Sequence, residues 1–239
     1  MCIMGTLDNM KEKYLADEAA RRERNLDFAS KGVTFVDIST AYIGDDVLIS
    51  PGVFIGSCVN LEGKTEIGEN CRILQNCRIS NSKIGAGAVI EQSVILSSSV
   101  GENSEIGPFA YLRPGSNIGA NVKVGDFVEV KNSSIGDRSK ASHLTYIGDA
   151  DIGENVNLGC GIVFVNYDGK DKHRSTVGNG AFIGCNVNLI SPVNVGDGAY
   201  IAAGTTVTKD VPGGALSVGR KKEEIIEGWV ERRGLLKKR

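Results

Sequence analysis

The sequence predicts an all-β fold, a parallel β-helix, and three observations carry this prediction. Branched apolar residues recur every six positions from Ile43 to Ile79, continue in steps of five, six or twelve to Phe164, and resume from Val177 to Val207. Glycine often follows the branched residue, and a small or slim residue stands four positions after it. This period fits neither an amphipathic helix nor an alternating strand, but it fits a short strand and a turn repeated along a prism.

The repeat also predicts where side chains lie. We expect the branched residue of each repeat to point inward, because β-branched side chains suit a flat, half-buried strand. The glycine that follows it is expected to supply backbone freedom at the corner. Cys71 and Cys77 occupy the slim position of their repeats and are predicted to lie in the core. Each coil should contact mainly its neighbours, so several repeats are needed before any one is stable.

A helical arm is predicted before the repeat. The segment from about Asp8 to Ser30 is polar and rich in Ala, Glu, Lys and Arg, and Gly32 follows it. Asp8 is the candidate N-cap. A narrow apolar stripe at helical spacing is formed by Met10, Tyr14, Leu15, Leu26 and Phe28.

The C-terminal tail is predicted to leave the repeat through the turn-rich segment TKDVPGGALSVGR and to form a short amphipathic helix. Ile225, Ile226 and Trp229 of that helix are expected to cap the open end of the prism, and a binding role for the terminal lysines stays open beside this. The chain is therefore divided into a helical arm at 1–32, a β-helix domain at 33–212 and a tail at 213–239.

Composition excludes several classes of protein. The 239 residues carry a net charge of −2, which gives no electrostatic case for binding nucleic acid. The six cysteines form no CxxC pair and no metal-ligand spacing. The first residues lack the apolar core of a signal peptide, and no apolar run is long enough to span a membrane. We expect a cytoplasmic protein with no nucleic-acid or membrane partner.

The stretch from Ser139 to Lys172 is where the sequence predicts chemistry. It holds one of the two histidines of the chain, and its polar excursion VNYDGKDKHRST interrupts the repeat. An imidazole has an ordinary pKa of about 6.5, so His143 is suited to take a proton near neutral pH. The other histidine, His173, is interpreted as a loop residue.

Five blocks of this sequence resemble one enzyme family: IGPFAYLRPGSNIG, GDFVEVKNSSIG, SKASHLTYIGDADIGENVNLGCG, NYDGKDKH and IAAGTTVTKDV. They are similar to the acetyltransferase domain of the bifunctional glucosamine-1-phosphate acetyltransferases / N-acetylglucosamine-1-phosphate uridyltransferases, in the hexapeptide-repeat acyltransferase superfamily. The resemblance covers the whole β-helix and is close from Ile106 to Arg220. It implies a left-handed parallel β-helix, a homotrimer, and metal-independent transfer of acetyl from acetyl-CoA to glucosamine-1-phosphate in UDP-GlcNAc synthesis.

The resemblance also implies roles for particular residues. His143 corresponds to the catalytic base. The phosphosugar ligands correspond to Arg113, Lys131, Tyr146, Asn157 and Lys172. The acetyl-CoA contacts correspond to Cys160, Asn166, Tyr167, Cys185, Ala203 and Arg220. These residue types suit the reaction, because a sugar phosphate needs cations and the attacking amine must be neutral. Glu129, on the same strand face as Lys131, is the hypothesised partner that orients the imidazole.

One departure from the family and three alternatives stay open. Nothing before Val33 corresponds to the nucleotidyltransferase domain, so we expect the uridyltransferase activity, with its Mg²⁺, to be absent. The chain could instead acetylate another amino sugar or sugar nucleotide, or serve as a non-catalytic assembly subunit. A zinc carbonic anhydrase on the same β-helix is disfavoured, because that site needs three histidines and the chain has two.

Overall fold

The computed structural model describes residues 2–220 and 222–235, with side chains from residue 9 onward. One helix stands at each end of the chain, α1 (Cys2–Ser30) and α2 (Trp229–Arg232). The first ten strands are β1 (Thr34–Phe35), β2 (Tyr42–Ile43), β3 (Leu48–Ile49), β4 (Phe54–Ile55), β5 (Asn60–Glu62), β6 (Glu66–Ile67), β7 (Arg72–Ile73), β8 (Arg78–Ser80), β9 (Lys83–Ile84) and β10 (Val89–Ile90). The next ten are β11 (Val94–Leu96), β12 (Ser99–Val100), β13 (Glu105–Ile106), β14 (Tyr111–Leu112), β15 (Asn117–Ile118), β16 (Lys123–Asp126), β17 (Glu129–Lys131), β18 (Ser134–Ile135), β19 (Lys140–His143) and β20 (Tyr146–Gly148). The last ten are β21 (Ala150–Ile152), β22 (Asn157–Leu158), β23 (Val163–Val165), β24 (Ser175–Val177), β25 (Phe182–Ile183), β26 (Asn188–Ile190), β27 (Asn194–Val195), β28 (Tyr200–Ile201), β29 (Thr206–Val207) and β30 (Leu216–Ser217).

Three parallel sheets form the faces of a prism. They contain eleven strands from β1 to β30, ten from β2 to β29, and nine from β3 to β27, and are called faces A, B and C here. Along most of each face a strand pairs in register with the strand three places later, as in Ile55↔Ile73 and Ile73↔Ile90 on face A. The predicted parallel β-helix of hexapeptide repeats is confirmed.

The branched residues of the repeat fill the inside of the prism. Ile55, Leu61 and Ile73 are fully buried, and the same inward column continues from coil to coil. Cys71 and Cys77 are also buried, as the repeat predicted. Burying this apolar surface is the main source of stability, at roughly 25 cal/mol per Å² removed from water.

Most glycines that follow a branched residue do not adopt the left-handed conformation, whereas asparagines and other glycines, such as Gly52, Gly87 and Gly161, do so. Backbone φ angles in the left-handed region occur at Asn70, Asn76, Asn81, Asn103, Asn121, Asn132, Asn155 and Asn186. Asparagine tolerates this conformation better than other residues with a Cβ. The glycine after the branched residue has a different cause. At Gly68 a Cβ would meet the backbone nitrogen of Ala86, on the next coil, at 2.7 Å. Close approach of successive coils therefore requires that glycine.

The excursion after β23 is a hydrogen-bonded loop. Asp168 Oδ1 accepts hydrogen bonds from the backbone N–H groups of Lys170 and Asp171 at 2.8 and 2.7 Å, and Asp168 Oδ2 lies 2.7 Å from His173 Nε2. The hydrogen bond with His173 is the largest cause that lowers the pKa of Asp168. The Arg174 guanidinium then ties the loop back to the prism by donating to the Asn132 carbonyl at 2.9 Å.

Among the described side chains of the helical arm, those from Arg21 to Phe28 contact the prism. Asn25 is buried and donates to the carbonyls of Ile38 and Ala41 at 2.9 Å each, and Phe28 packs against the core. The rest of the expected apolar stripe is exposed, at Met10, Tyr14, Leu15 and Leu26. The helix begins at Cys2, so Asp8 lies within it and is not the N-cap.

The tail does not cap the prism as expected. α2 is a single turn with no buried residue, and Ile225, Ile226 and Trp229 are 79%, 53% and 43% exposed. Amphipathic spacing identified these apolar residues, and the Arg233 guanidinium stands over the Trp229 ring at 5.3 Å from its centroid. No helix in the described part of the chain is long and apolar enough to cross a membrane.

We predict that Gly68→Ala destabilises the β-helix and that Gly44→Ala does not. Both glycines follow an isoleucine, but the nearest neighbour of a Cβ at Gly44 is the Leu61 carbonyl oxygen at 3.4 Å, an ordinary contact. The backbone atoms that face Gly68 cannot move aside locally, so its substitution should cost about 1–3 kcal/mol. Urea unfolding of the two variants measures this difference, and equal midpoints would contradict the steric explanation.

Candidate active site

His143 stands at the corner between faces A and B, where β19 ends. Its strand pairs in register with β16 one coil earlier, so that Asp126 lies directly opposite His143. The Asp126 Oδ1 atom lies 2.5 Å from His143 Nδ1. The backbone supports this pairing, because the Leu144 N–H donates to the Asp126 carbonyl at 2.9 Å. The His143 side chain is 58% exposed.

Asp126 fixes the protonation pattern of this imidazole. The hydrogen bond with His143 is the largest cause that lowers the pKa of Asp126, so the carboxyl group stays ionised well below neutral pH. An ionised carboxylate only accepts hydrogen bonds, which makes Nδ1 the donor and leaves a lone pair on Nε2. The hypothesis that Glu129 orients the imidazole is wrong. Glu129 Oε1 accepts a hydrogen bond from Arg113 Nη1 at 2.8 Å. Arg113 directly follows β14, which pairs with the Glu129 strand, β17, on face B.

Cations gather on face B beside this corner. Lys131 Nζ lies 3.7 Å from Asp149 Oδ2, and this lysine is only 19% exposed. A hydrogen bond with Lys131, followed by the charge of the same ammonium group, lowers the pKa of Lys172. Two ammonium groups this close together repel one another, and a bound anion would relieve that repulsion.

Asp149 holds the lysines in place. Burial alone would raise its pKa, but hydrogen bonds from Asn132 and Asn166 and the charges of Lys131 and Lys172 together lower it. The Asn132 and Asn166 side-chain amides donate to its two oxygens at 2.6 and 2.5 Å. Asp149 is therefore an ionised, 7% exposed carboxylate at the base of the cationic cluster.

Arg113 and Tyr146 complete the part of the site on face B. The hydrogen bond with Glu129 raises the pKa of Arg113, so its guanidinium is always charged. Tyr146 pairs in register with Glu129 on the preceding coil. Its hydroxyl lies so near Gly148 that a Cβ there would stand 2.5 Å from it. Gly148 therefore makes room for the phenol beside the lysines.

The remaining expected ligands fall into two groups. Asn157 lies on face A, in register with Lys140, and so is on the other side of the corner from Lys131. Arg220 Nη1 donates to the Ala203 carbonyl at 2.6 Å, which brings together two residues expected to contact acetyl-CoA. Tyr167 is exposed, and its hydroxyl donates to the Gly169 carbonyl at 2.7 Å. The amide of Asn166, expected to contact acetyl-CoA, lies instead with the cationic cluster.

Cys160 and Cys185 occupy the same corner as His143 on the following coils. β22 pairs with β25 through Leu158↔Ile183, which sets Cys160 opposite Cys185 two positions later. Ala203 follows Cys185 in the same way, since Ile183 pairs with Ile201. Cys160, Cys185 and Ala203 therefore form a column of small side chains along this corner, which is called the wall below.

Comparison with known proteins relates these features to a family. The bacterial transferase hexapeptide (six repeats) family matches residues 97–132 and 174–209. The bifunctional protein GlmU of Clostridioides difficile (strain 630) is 55% identical over 231 residues, covering 97% of this chain and 50% of that protein. GlmU of Clostridium botulinum (strain ATCC 19397 / Type A) is 52% identical over 229 residues, covering 93% of the chain and 49% of the relative. Two parts of the chain thus match hexapeptide repeats, and nearly its whole length is similar to one half of GlmU.

The extent of these matches sets what they show. The chain spans about half the length of the curated relatives that it matches. Among solved structures, an Arabidopsis UDP-N-acetylglucosamine acyltransferase aligns with a TM-score of 0.59 at 16% identity, covering 82% of this chain and 76% of that one. At that identity the likeness concerns the fold alone. The predicted resemblance to the acetyltransferase half of the bifunctional enzymes, which depended on the segments LRPG, HLTY and NYDGK, is confirmed, because the GlmU matches extend over nearly the whole chain.

Two carboxylates of the site were not assigned from the sequence. Asp149 stands within the quoted HLTYIGDA block, and Asp126 within GDFVEV, but neither was given a role. The signal for Asp126 is its distance of seventeen residues from His143, which is one coil of the prism in this region. Within the described part of the chain, no group of three or more His, Cys, Asp or Glu side chains could hold a metal ion.

We predict that neutral His143 carries its proton on Nδ1 and that Asp126 is the cause. Two-dimensional ¹⁵N–¹H NMR of labelled protein distinguishes the two tautomers. Asp126→Ala should shift the population toward the Nε2–H tautomer, whereas Glu129→Gln should leave it unchanged, because Glu129 contacts Arg113 and not the imidazole. An unchanged tautomer in Asp126→Ala, or an equal shift in both variants, would refute the assignment.

Proposed function

We propose that the chain transfers the acetyl group of acetyl-CoA to the amine of glucosamine-1-phosphate, giving N-acetylglucosamine-1-phosphate for UDP-GlcNAc synthesis. The observation that carries this proposal is an imidazole oriented by Asp126 beside a cluster of cations on the neighbouring face. Homology to half of the bifunctional GlmU proteins supports an acetyl transfer of this kind. We place the reaction in the cytoplasm.

His143 acts as the general base in this proposal. A sugar amine attacks an acyl carbonyl only when it has a lone pair, and it must lose a proton as the new C–N bond forms. The Nε2 lone pair of His143 accepts that proton, the C–S bond of the thioester breaks, and the proton passes from the imidazolium to the departing CoA thiolate. Asp126, held at 2.5 Å from Nδ1, stabilises the imidazolium that results. A positioned base of this kind contributes typically about 10²–10⁴-fold to the rate.

Arg113, Lys131 and Lys172 bind the phosphate. Arginine presents two parallel N–H donors that match phosphate oxygens, and lysine supplies a compact charge. The repulsion that lowers the pKa of Lys172 is removed when a dianion sits between the two ammonium groups. Tyr146 and Asn157 are left to contact the sugar, from face B and face A respectively.

Acetyl-CoA supplies an activated thioester and is bound along the corner. The small side chains of Cys160, Cys185 and Ala203 form the wall, and Arg220, which already donates to the Ala203 carbonyl, offers a charge for the nucleotide phosphates. Tyr167 contributes from the excursion, whereas the Asn166 amide holds Asp149 in the cationic cluster. Holding amine and thioester in register at this corner is worth up to about 7–11 kcal/mol of the barrier. This mechanism requires no metal.

The enzyme is proposed to be a homotrimer. An imidazole 58% exposed is poorly shielded for proton transfer in a single chain. Beside it, Phe109 and Phe127 stack with their ring centroids 5.4 Å apart, and both rings and Leu144 are more than half exposed at the same corner. A second copy of the chain that covers this ridge would bury the apolar side chains and enclose His143.

We predict that purified protein releases free thiol from acetyl-CoA when glucosamine-1-phosphate is added, and that His143→Ala lowers kcat by at least about 10²-fold. Arg113→Ala should act differently, by raising KM for the sugar phosphate, because it removes a phosphate contact and not the base. An Ellman-type assay measures the rate of thiol release by the wild type, His143→Ala and Arg113→Ala. Thiol release by His143→Ala at the wild-type rate would refute the mechanism.

The choice of acceptor is tested in the same assay. Glucosamine-1-phosphate should be used with a lower KM than glucosamine, because Arg113, Lys131 and Lys172 recognise the phosphate. If acetyl-CoA binds but glucosamine-1-phosphate is inert, a screen of other amino sugars and sugar nucleotides identifies the acceptor. If acetyl-CoA neither binds nor reacts, the chain is a non-catalytic β-helix.

We predict that Phe127→Asp dissociates the trimer and reduces acetyl transfer at least tenfold. The matched control is Leu48→Asp, which places the same charge at a residue 65% exposed on face C, away from His143. Sedimentation equilibrium should give three chains for the wild type and for Leu48→Asp. A wild-type monomer with full activity would contradict both the oligomer and the shared active site.

A further inference from the structure

Two thiols lie next to one another at the corner that carries His143. Cys160 and Cys185 are 25 residues apart in the chain, but the pairing Leu158↔Ile183 puts them opposite each other on successive coils. The N–H of Asn186 donates to the Cys160 carbonyl at 2.8 Å, which fixes the two cysteines in register. Neighbouring strands lie about 4.8 Å apart, and a disulfide needs a Cα separation of about 4.4–6.8 Å.

Side chains at this corner do reach their neighbours on the next coil. Asp126 and His143 have the same relation as the two cysteines, with the N–H of Leu144 donating to the Asp126 carbonyl at 2.9 Å. Their side chains are in contact at 2.5 Å. Equivalent positions two coils further along therefore place the Cys160 and Cys185 side chains side by side.

The pair is also accessible, unlike the thiols of the core. Cys185 is exposed and Cys160 is half-buried. Cys71 and Cys77 are buried, and burial raises the pKa of the Cys77 thiol to about 11, so neither is a ready nucleophile. Cys58 is exposed, and its N–H donates to Thr40 Oγ1 on the preceding coil.

We propose that Cys160 and Cys185 form a site of reversible oxidation by peroxides, and that their disulfide reduces the affinity for acetyl-CoA. Cys185, the more exposed thiol, attacks a peroxide oxygen as its thiolate, the O–O bond breaks, and a sulfenic acid and one water result. The Cys160 thiolate then attacks that sulfur. The S–O bond breaks, the oxygen leaves as a second water, and an S–S bond forms. The two thiols lose two electrons and two protons, which the peroxide takes up.

The location of the pair gives the oxidation a consequence. Both sulfurs belong to the wall between His143 and Ala203, so a disulfide replaces two free thiols there with one rigid bridge. This part of the inference rests on the proposed function, because it assumes that acetyl-CoA lies along that wall. Formation of the disulfide rests only on the register of the coils. Exposed disulfides are readily reduced, so the effect should be reversible.

The test compares the wild type with Cys160→Ser, Cys185→Ser and the matched control Cys58→Ser. Each protein is treated with hydrogen peroxide at neutral pH and then examined by intact mass and peptide mapping. The wild type and Cys58→Ser should lose about 2 Da and give a peptide that links Cys160 to Cys185, whereas neither serine variant of the pair should do so. After oxidation, the KM of the wild type and of Cys58→Ser for acetyl-CoA should rise at least fivefold, and it should return to its starting value after dithiothreitol.

Several outcomes separate the parts of this inference. Sulfinic acid on Cys185 with Cys160 still reduced would overturn the disulfide, because the second thiol would then be out of reach. A mapped disulfide with unchanged KM for acetyl-CoA would overturn the effect on the cofactor. If the reduced protein neither binds acetyl-CoA nor transfers acetyl, the proposed function fails, while the mass measurement still decides the disulfide.

Discussion

The register between successive coils is the constraint on which the rest of the structure depends. Apart from the end strands of the three faces, every strand is hydrogen-bonded to the coils before and after it, and strands of two to four residues depend on this pairing. Register also sets what fits at each position. A glycine is required where the next coil passes at 2.7 Å, as at Gly68, and a residue that accepts a positive φ is required at the corner. A shift of one residue would turn the buried column outward.

The same register assembles the candidate site. It pairs Asp126 with His143, and Glu129 with Tyr146, from segments that are seventeen residues apart. The long excursion after β23 does not disturb it, since Cys185 returns to the position opposite Cys160. The prism thus tolerates an insertion at one corner while the corner that carries His143 keeps its order. The same geometry brings charges together, because Lys131 of face B and Lys172 of the excursion both lie near the buried Asp149 carboxylate.

Sequence reasoning succeeded where the pattern is periodic and failed where partners depend on coil length. A repeat of six is visible in the sequence, and the inward position of Cys71 and Cys77 follows from it. Choosing Asp126 over Glu129 as the partner of His143 required knowing which residue lies opposite on the previous coil, and strand-face reasoning alone does not give that. Likewise, the apolar residues of the tail were identified, but amphipathicity does not state which surface they meet, and Trp229 remains outside the prism.

The corner that carries His143 combines two needs that oppose one another. A base must be accessible to the amine, yet transfer to an amine instead of water requires an enclosed site. In a single chain the imidazole is open, and the apolar ridge beside it, formed by Phe109, Phe127 and Leu144, is exposed too. Both facts are explained if the site is completed by another copy, because one contact then buries the ridge and excludes water. In the proposed reaction the thioester would lie along the wall of small side chains beyond His143, and the proposed Cys160–Cys185 disulfide would form in that same wall.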